Sequence, residues 1–373
     1  MTAEIVEPVV PRAVSGELAS TVPPRDPEVL LSVRNLRTTF ATEAGLVKAV
    51  DGLSFDVRRG EVLAIVGESG SGKSVTSLSI MGLLEVPPAK IEADVMTWKG
   101  EELLGVSDSR MRQIRGGEIA MIFQDPLSAL NPVQTVGRQV AEMAVIHDKL
   151  SKKEAWDRAV DMLRLVGIPQ PEKRAEMHPH EFSGGMRQRA VIAMAITCHP
   201  DLLIADEPTT ALDVTVQAQV LDVLMEMKDE IDSSIVLITH DLGVVAGLAD
   251  RVIVMYAGRE AEVGTTHEIF YETRHPYTLG LLASMPRLDD TGVERLRPIR
   301  GAPPSLLNPP SGCAFHPRCD FARDRCVHEV PMLRVVTGAG HYSACHFAEE
   351  LGAVDVAEFR EEAVEEAVEE SVG

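Results

Sequence analysis

The chain has 373 residues, of which 36 are Lys or Arg and 57 are Asp or Glu, so its formal net charge is −21. This length suggests two or three domains, and the negative charge argues against a surface that wraps nucleic acid, because such binding needs Lys and Arg to displace phosphate counterions. No apolar run approaches the ~18–20 residues of a transmembrane helix, and the acidic, proline-containing N-terminus is not a secretory signal, so we expect a cytoplasmic protein unless a partner carries it elsewhere.

The N-terminal segment, residues 1–28, contains five prolines without a regular period. Segments of this composition bury too little apolar surface to offset the entropy of ordering. We therefore predict a disordered leader and place the start of the folded chain at residue 29.

From residue 29 the chain alternates short apolar runs with helical patterns. The apolar runs predict strands at residues 30–33, 53–57, 62–66, 119–123, 202–205, 234–239 and 251–255. Apolar residues with the spacing of one helix face predict helices at 73–84, 152–165, 184–196 and 214–227. Buried strands separated by helices imply an α/β fold with a mostly parallel sheet covered on both sides.

Residues 67–74 read Gly-Glu-Ser-Gly-Ser-Gly-Lys-Ser, between a predicted strand and a predicted helix. This is the G-x-x-x-x-G-K-[ST] phosphate-binding loop, or P-loop, in the context that the motif requires. Glycines permit the tight turns that point backbone N–H groups at phosphate oxygens, and the helix N-terminus adds positive partial charge. Lys73 would neutralise the β- and γ-phosphates, and Ser74 would ligate Mg²⁺.

Two acidic residues, Asp206 and Glu207, end the apolar strand predicted at 202–205. In phosphoryl transfer, the first acid at such a position suits the surroundings of Mg²⁺, and the second suits a base or orienter for the attacking water. The pair could be a surface turn if it stood alone. Together with a P-loop, it predicts nucleotide hydrolysis.

Residues 182–189, Phe-Ser-Gly-Gly-Met-Arg-Gln-Arg, resemble the signature motif of ATP-binding-cassette (ABC) ATPases. Other motifs of that family follow the same order: Gln124 resembles the Q-loop glutamine, residues 211–213 (Ala-Leu-Asp) the D-loop, and His240 the switch histidine. Phe40 resembles the aromatic residue that stacks on adenine, with a core residue at a strand end as the alternative. The resemblance covers about residues 30–285 and implies an ABC-type P-loop ATPase with a RecA-like core, an antiparallel β subdomain and a helical subdomain.

The resemblance also implies a role for each matched residue. Catalysis would fall to Lys73, Glu207 and His240, magnesium binding to Ser74, Gln124 and Asp206, and coupling across a dimer to Asp213. The residues that would contact ATP are Phe40, Gly67, Glu68, Ser69, Gly70, Ser71, Gly72, Lys73, Ser74, Val75, Gln124, Ser183, Gly184 and Gly185. Met186 stands where the family usually has glutamine, which does not remove the main-chain groups of the two preceding glycines.

A predicted helix opens at Ser183, so Gly184 and Gly185 would present N–H groups and the positive end of a helix dipole to an anion. In the family this helical segment projects sideways and does not reach the P-loop of its own chain. The resemblance therefore implies that two cassettes pair head to tail with ATP between them.

Three kinds of ABC protein fit these motifs: the ATPase subunit of an importer, an ATPase acting on nucleic acid or ribosomes, and a non-hydrolysing regulator. The chain shows one P-loop and no coiled coil or zinc insert, which speaks against the second kind, and its intact acidic and lysine residues speak against the third. Residues 118–132, 178–189, 202–217, 275–280 and 299–304 resemble the oligopeptide/dipeptide-permease branch, in its D-type subunit.

That branch implies di- or oligopeptide uptake at the cytoplasmic face of a membrane. Implied partners are a distinct F-type ATPase, two permease subunits and, indirectly, an extracytoplasmic peptide-binding protein, with no nucleic acid. Nickel, opines and murein peptides use similar subunits, so the sequence does not choose the solute.

Four of the five cysteines fall in one window after the cassette: Cys313, Cys319, Cys326 and Cys345. Clustered cysteines in the cytoplasm indicate metal or redox chemistry more often than disulfides. Four thiolates suit Zn²⁺ or an iron–sulfur cluster, and spacings of five and six residues differ from the short Cys pairs of zinc ribbons. The segment resembles the C-terminal tail of dipeptide-permease ATPases, some of which carry a [4Fe–4S] cluster. We therefore expect that cluster, with zinc, unligated thiols or disulfides as alternatives.

The resulting organisation has four parts. We predict a leader (1–28), an ABC ATPase domain (29–284) whose helical and signature subdomain covers about 125–200, a small Cys-rich C-terminal region (285–348) and an acidic tail (349–373). The tail holds ten acidic residues and one arginine, a composition that stays solvated. We interpret it as a solubilising tail, with an interaction tail as the alternative.

Overall fold

The computed structural model describes residues 28–125, 129–209, 213–285, 299–338 and 340–353. The predicted leader, apart from Glu28, and the acidic tail from residue 354 onward lie outside the described residues. The described chain forms two β-sheets with helices packed around them, so the predicted α/β class is confirmed.

Five strands form the first sheet, which is antiparallel and has the order β2-β1-β5-β6 with β4 also paired to β1. These strands are β1 (Val29–Thr42), β2 (Gly45–Arg58), β4 (Ala89–Glu92), β5 (Val95–Trp98) and β6 (Glu101–Glu102). The sequence predicted only four and five residues of the first two strands. The structure extends each to 14 residues, because they pair along their length as one hairpin whose far end is more exposed.

Eight strands form the second sheet, in the order β12-β13-β11-β10-β3-β9-β8-β7. They are β3 (Val62–Val66), β7 (Ile119–Ile122), β8 (Leu202–Asp206), β9 (Ser234–Thr239), β10 (Arg251–Tyr256), β11 (Arg259–Thr265), β12 (Arg334–Thr337) and β13 (His341–Ser343). The five strands from β10 to β7 are parallel, as the sequence predicted. The other three are antiparallel, and two of them come from the C-terminal region, which thus extends the sheet of the cassette.

The α-helices of the described chain alternate with these strands or follow them. They are α1 (Lys73–Ile80), α2 (Asp108–Gly117), α3 (Val136–His147), α4 (Lys152–Leu165), α5 (Pro171–Ala175), α6 (Gly184–Ile196), α7 (Val214–Ile231), α8 (Leu242–Ala246), α9 (Thr266–Tyr271), α10 (Pro276–Ala283) and α11 (Asp324–His328). Helices α4 and α6 have the predicted bounds. Helix α1 is shorter than the predicted 73–84, because Gly82 adopts a left-handed φ of 58° and Leu83 N–H closes the end onto Leu78 O.

Three apolar clusters hold these layers together. The first sheet packs against one face of the second sheet through residues such as Trp98 and Ile65. Helices α3 to α7 pack against the opposite face of the second sheet. The third cluster lies around β10 and includes Tyr256, Tyr277 and Phe315, so the C-terminal region shares a core with the cassette. Burial of these side chains at about 25 cal/mol per Å² is the main stabilising term.

Candidate functional site

The predicted site residues follow neighbouring parallel strands and gather at one edge of the second sheet. The P-loop follows β3, Gln124 follows β7, Asp206 ends β8 and His240 follows β9. Because β3, β9, β8 and β7 are adjacent and parallel, their carboxyl ends meet on the same edge. This is where open α/β sheets bind ligands.

The P-loop needs its glycines for two physical reasons. Gly67, Gly70 and Gly72 have φ values of 155°, 80° and 103°, which side chains rarely adopt. A Cβ on Gly67 would lie 2.3 Å from Met255 O, and one on Gly72 would lie 2.3 Å from Ala49 O. The loop therefore threads between the backbones of β10 and β2.

Lys73 begins α1 and is 4% exposed. Its ammonium donates to Gly67 O at 2.7 Å and to Glu68 O at 3.0 Å, which holds it inside the turn of the loop. Burial lowers the pKa of Lys73, and the nearby carboxylates of Glu207, Asp206 and Glu68 oppose that change. The side chain is thus a cation placed among backbone carbonyls and acids.

The rest of the P-loop offers donors to an anion. The first N–H groups of α1 have no side-chain cap, because Gly72 precedes the helix. Ser71 Oγ is buried without a hydrogen-bond partner in the part of the chain that the structure describes. Ser69 and Gly70 lie exposed at the tip of the loop, and Val75 is half-buried in α1. A bound phosphate would satisfy these orphaned donors, so the loop fits the triphosphate of ATP.

Ser74 and Asp206, two of the predicted magnesium residues, are in direct contact. Ser74 Oγ donates to Asp206 Oδ1 at 3.0 Å. Burial raises the pKa of Asp206, the bond from Ser74 opposes that rise, and Glu207 adds to it. A hydroxyl and a buried carboxylate are oxygen ligands of the kind that Mg²⁺ prefers.

The third magnesium residue, Gln124, lies exposed beside the proposed base. Its amide Nε2 donates to Glu207 Oε2 at 2.9 Å, and His240 Nδ1 lies 3.5 Å from Glu207 Oε1. Glu207 has a positive φ of 46°, and its N–H donates to Ile238 O at 2.8 Å. The structure thus brings Gln124, Glu207 and His240 together, with the carboxylate between an amide and an imidazole.

The signature residues open α6 as predicted. Ser183 precedes the helix, and its hydroxyl accepts from Met186 N–H at 3.3 Å. Ser183 and Gly184 are exposed, and Gly185 lies against Val216 of α7, whose Cγ1 would be 2.6 Å from an added Cβ. The exposed start of this helix is available to a partner molecule.

Two predicted residues lie outside these groups. Asp213 caps α7 by accepting from Val216 N–H at 3.0 Å, while Ala211 and Leu212 of the predicted D-loop lie outside the described residues. Phe40 is half-buried in β1, opposite Val47 of β2. Its stacking on adenine stays a prediction.

Two side chains that were not among the predicted site residues hold the P-loop. Glu68 N–H donates to Tyr277 Oη at 2.8 Å, and Arg318 makes two hydrogen bonds to the Glu68 carboxylate. Tyr277 lies in α10, and Arg318 lies beside Cys319, 250 residues from Glu68 along the chain. No spacing rule connects positions so far apart. Four arginines lie between Cys313 and Cys345, and the sequence does not single out Arg318 among them.

All four C-terminal cysteines line one cavity of about 180 Å³, together with side chains such as Phe315 and His316. Burial, and to a smaller extent the other thiols, raises the pKa of Cys319 to about 12 and that of Cys345 to about 11. Within the described ranges, however, no group of three or more His, Cys, Asp or Glu side chains could hold a metal ion. The four thiols thus share one cavity.

Comparison with known protein families agrees with this geometry. The sequence model of the family described as "ABC transporter" matches residues 50–210, and that described as "Oligopeptide/dipeptide transporter, C-terminal region" matches residues 261–326. The second match begins in β11 and includes three of the four clustered cysteines.

Curated relatives cover most of the chain. It is 59% identical over 292 residues to the dipeptide transport ATP-binding protein DppD of Bacillus subtilis, covering 78% of this chain and 87% of that protein. It is 55% identical over 307 residues to the oligopeptide transport ATP-binding protein OppD of the same species, covering 82% and 86%. Identity to OppD of Escherichia coli is 50%, with coverage of 83% and 91%.

Solved structures share the cassette. A dimeric structure of MJ0796, described as a bacterial ABC transporter cassette, superposes with a TM-score of 0.57 at 25% identity, covering 64% of this chain and 99% of that one. The structure of cbiO1 from Clostridium perfringens gives a TM-score of 0.55 at 29% identity, covering 66% and 92%. In the described portion of the chain, no helix combines the length and apolar character needed to span a membrane.

Proposed function

Because this chain belongs to the ATP-binding subunits of oligopeptide and dipeptide ABC transporters, it is an ABC-type ATPase, and we propose that it energises di- and oligopeptide uptake through separate permease subunits. The observation that carries the proposal is the grouping of the predicted ATP-site residues at one edge of the second sheet. There the P-loop, the Ser74–Asp206 pair and the group of Gln124, Glu207 and His240 lie together.

The geometry supports in-line attack of water on the γ-phosphate. Lys73 and the N–H groups at the start of α1 would hold the phosphates, and Ser74 with Asp206 would hold Mg²⁺, which neutralises charge on the phosphate oxygens. Glu207 would orient the attacking water and accept its proton, because its carboxylate is fixed by its neighbours. His240 would contact the γ-phosphate from the adjacent strand.

We further propose that the active form is a head-to-tail dimer with a second ATPase subunit. The N-terminus of α6 is exposed and presents Ser183, Gly184 and Gly185, which a phosphate on the partner's P-loop could contact. Asp213, at the start of α7, would couple the two sites. The solved cassette of MJ0796 is described as dimeric, which supports this arrangement.

The permease subunits would dock near Gln124, at the cytoplasmic face of the membrane. The proposed contact segment spans residues 125–132, of which 126–128 lie outside the described residues. Next to it, the Val133 side chain is 79% exposed, so an apolar contact is available. The proposed organisation keeps the boundaries given above: leader 1–28, ATPase domain 29–284, C-terminal region 285–348 and tail 349–373.

The test of the transport role is uptake by a strain that lacks the gene. We expect labelled dipeptide accumulation to fall to background and to return with the wild-type chain, while nickel uptake stays unchanged. Loss of nickel, opine or murein-peptide uptake with normal dipeptide uptake would assign the subunit to another solute.

For the four cysteines we propose a [4Fe–4S] cluster with a structural role. Support comes from the four thiols, which line one cavity. Cys313, Cys319, Cys326 and Cys345 would hold the cluster. It would link four points of the C-terminal region.

The cluster proposal predicts about four iron atoms and four sulfides per chain after anaerobic purification. Cys319→Ser should lose most of this iron, because it removes a thiol from the cavity. Cys198→Ser is the matched control, since Cys198 lies at the end of the signature helix and does not line the cavity. Stoichiometric zinc without iron would contradict the proposal.

A further inference from the structure

A side chain of the C-terminal region holds the P-loop, and we propose that Arg318 is a positioning residue of the ATP site. By fixing and neutralising Glu68, it keeps the loop in the form that binds ATP. The inference rests on the proposed function, because it assumes that residues 67–74 bind ATP.

The contact between Arg318 and Glu68 is bidentate. Arg318 Nη1 donates to Glu68 Oε2 at 2.6 Å, and Nη2 donates to Oε1 at 2.9 Å. The Arg318 side chain is 5% exposed and that of Glu68 is 26% exposed, so water screens the pair weakly. Paired charge-assisted bonds of this type are stronger than neutral ones and fix orientation.

The guanidinium of Arg318 is itself anchored in the C-terminal half of the chain. Its Nε donates to Arg300 O at 2.9 Å, its Nη2 also reaches Gly301 O at 3.3 Å, and its Nη1 also reaches Tyr256 Oη at 3.3 Å. Every nitrogen of the fork therefore has an acceptor. Arg318 therefore links residues 300–301 rigidly to the P-loop.

Glu68 is held through three of its groups: its carboxylate, its N–H and its carbonyl. Arg318 holds its carboxylate, Tyr277 Oη accepts from its N–H at 2.8 Å, and its carbonyl accepts from Lys73 Nζ at 3.0 Å. The carbonyl also accepts from Ser71 N–H at 3.2 Å, so contacts at all three groups remain if Lys73 turns toward a phosphate. The loop backbone then stays in place, so the loop loses less conformational entropy when ATP binds.

Charge gives a second reason for the pairing. Glu68 places a carboxylate within the loop that receives a triphosphate, and like charges repel strongly where water is scarce. Arg318 cancels that charge. Loss of Arg318 thus weakens ATP binding both by loosening the loop and by exposing ATP to Glu68.

The pair of Arg318 and Glu68 also joins the C-terminal region to the ATPase domain. Arg318 ends the short 3-10 turn His316–Arg318, which lies between Cys313 and Cys319. The segment that lines the cysteine cavity therefore carries the contact to the P-loop.

The test measures ATP affinity of the full-length chain and the steady-state kinetics of the assembled transporter. Arg318→Met keeps a long side chain without charge, and we expect ATP Kd and KM to rise about tenfold, or about 1.4 kcal/mol, with kcat within about twofold. Arg318→Lys should lie between this variant and wild type. Arg325→Ala is the matched control and should leave both constants unchanged, because Arg325 of α11 makes only an exposed pair with Glu329, the residue after the helix.

A suppressor variant separates positioning from general stability. In the Arg318→Met chain, Glu68→Gln removes the unpaired charge and should recover at least about threefold in affinity. Wild-type affinity in Arg318→Met, a fall in kcat with unchanged KM, or no recovery in the double variant would each overturn the inference. A wild-type chain that binds no ATP would instead overturn the proposed function.

Discussion

Glu207→Gln should bind ATP with near wild-type affinity and lose hydrolysis by a factor of about 10²–10⁴, the usual contribution of a general base. Glutamine keeps the size of the side chain and can still bond with Gln124, which lies 2.9 Å away. It cannot take a proton from water. With ATP still bound and uncleaved, the proposed dimer should accumulate in its closed form.

The measurement is single-turnover hydrolysis together with size-exclusion chromatography in ATP. Because the proposed partner subunit has its own site, the partner's equivalent base should be replaced in the same assembly. Asp241→Asn is a matched control, since Asp241 lies one residue beyond the His240 contact and caps α8 through Gly243 N–H. Unchanged turnover in Glu207→Gln with the partner silenced would remove Glu207 from the role of base.

Gly72→Ala should abolish ATP binding, because two separate costs fall on the P-loop. The residue has a φ of 103°, where a side chain costs about 1–3 kcal/mol. In addition, its new Cβ would lie 2.3 Å from Ala49 O, a backbone atom that cannot move without shifting β2. The loop must therefore change shape at the residue before Lys73.

Gly70→Ala separates the effect of backbone strain from that of a steric clash with a neighbouring backbone. Gly70 has a φ of 80°, yet nothing lies within 4 Å of an added Cβ. We expect a loss of about tenfold in ATP affinity from backbone strain alone. Equal losses in both variants, measured by equilibrium binding of a fluorescent ATP analogue, would show that the approach to Ala49 does not shape the loop.

The local motifs could be predicted from the sequence because the residues of each motif are contiguous. Residues 67–74 carry their own turn, helix start and lysine, and Asp206 with Glu207 directly ends a buried strand. Parallel strand order then brings these segments to one edge, which follows from the alternation of strands and helices. The bounds of α4 and α6 were predictable for the same reason, since a capping serine precedes each helix.

Contacts between segments that are distant in sequence could not be predicted. Neither the bidentate pair of Arg318 with Glu68 nor the bond between Tyr277 and the P-loop follows a local period. The C-terminal strands β12 and β13 were also missed, because they are short and gain stability only by extending a sheet that already exists. Long-range pairing of this kind depends on the assembled fold.

The most direct test of the central claim is peptide transport by the purified assembly in proteoliposomes, with ATP inside and a peptide-loaded binding protein outside. We expect labelled dipeptide to accumulate only with ATP and peptide to stimulate ATP hydrolysis. Glu207→Gln, combined with replacement of the partner's equivalent base, should remove both effects. Accumulation of dipeptide without ATP, or ATP hydrolysis by an intact assembly that never moves peptide, would contradict the central claim.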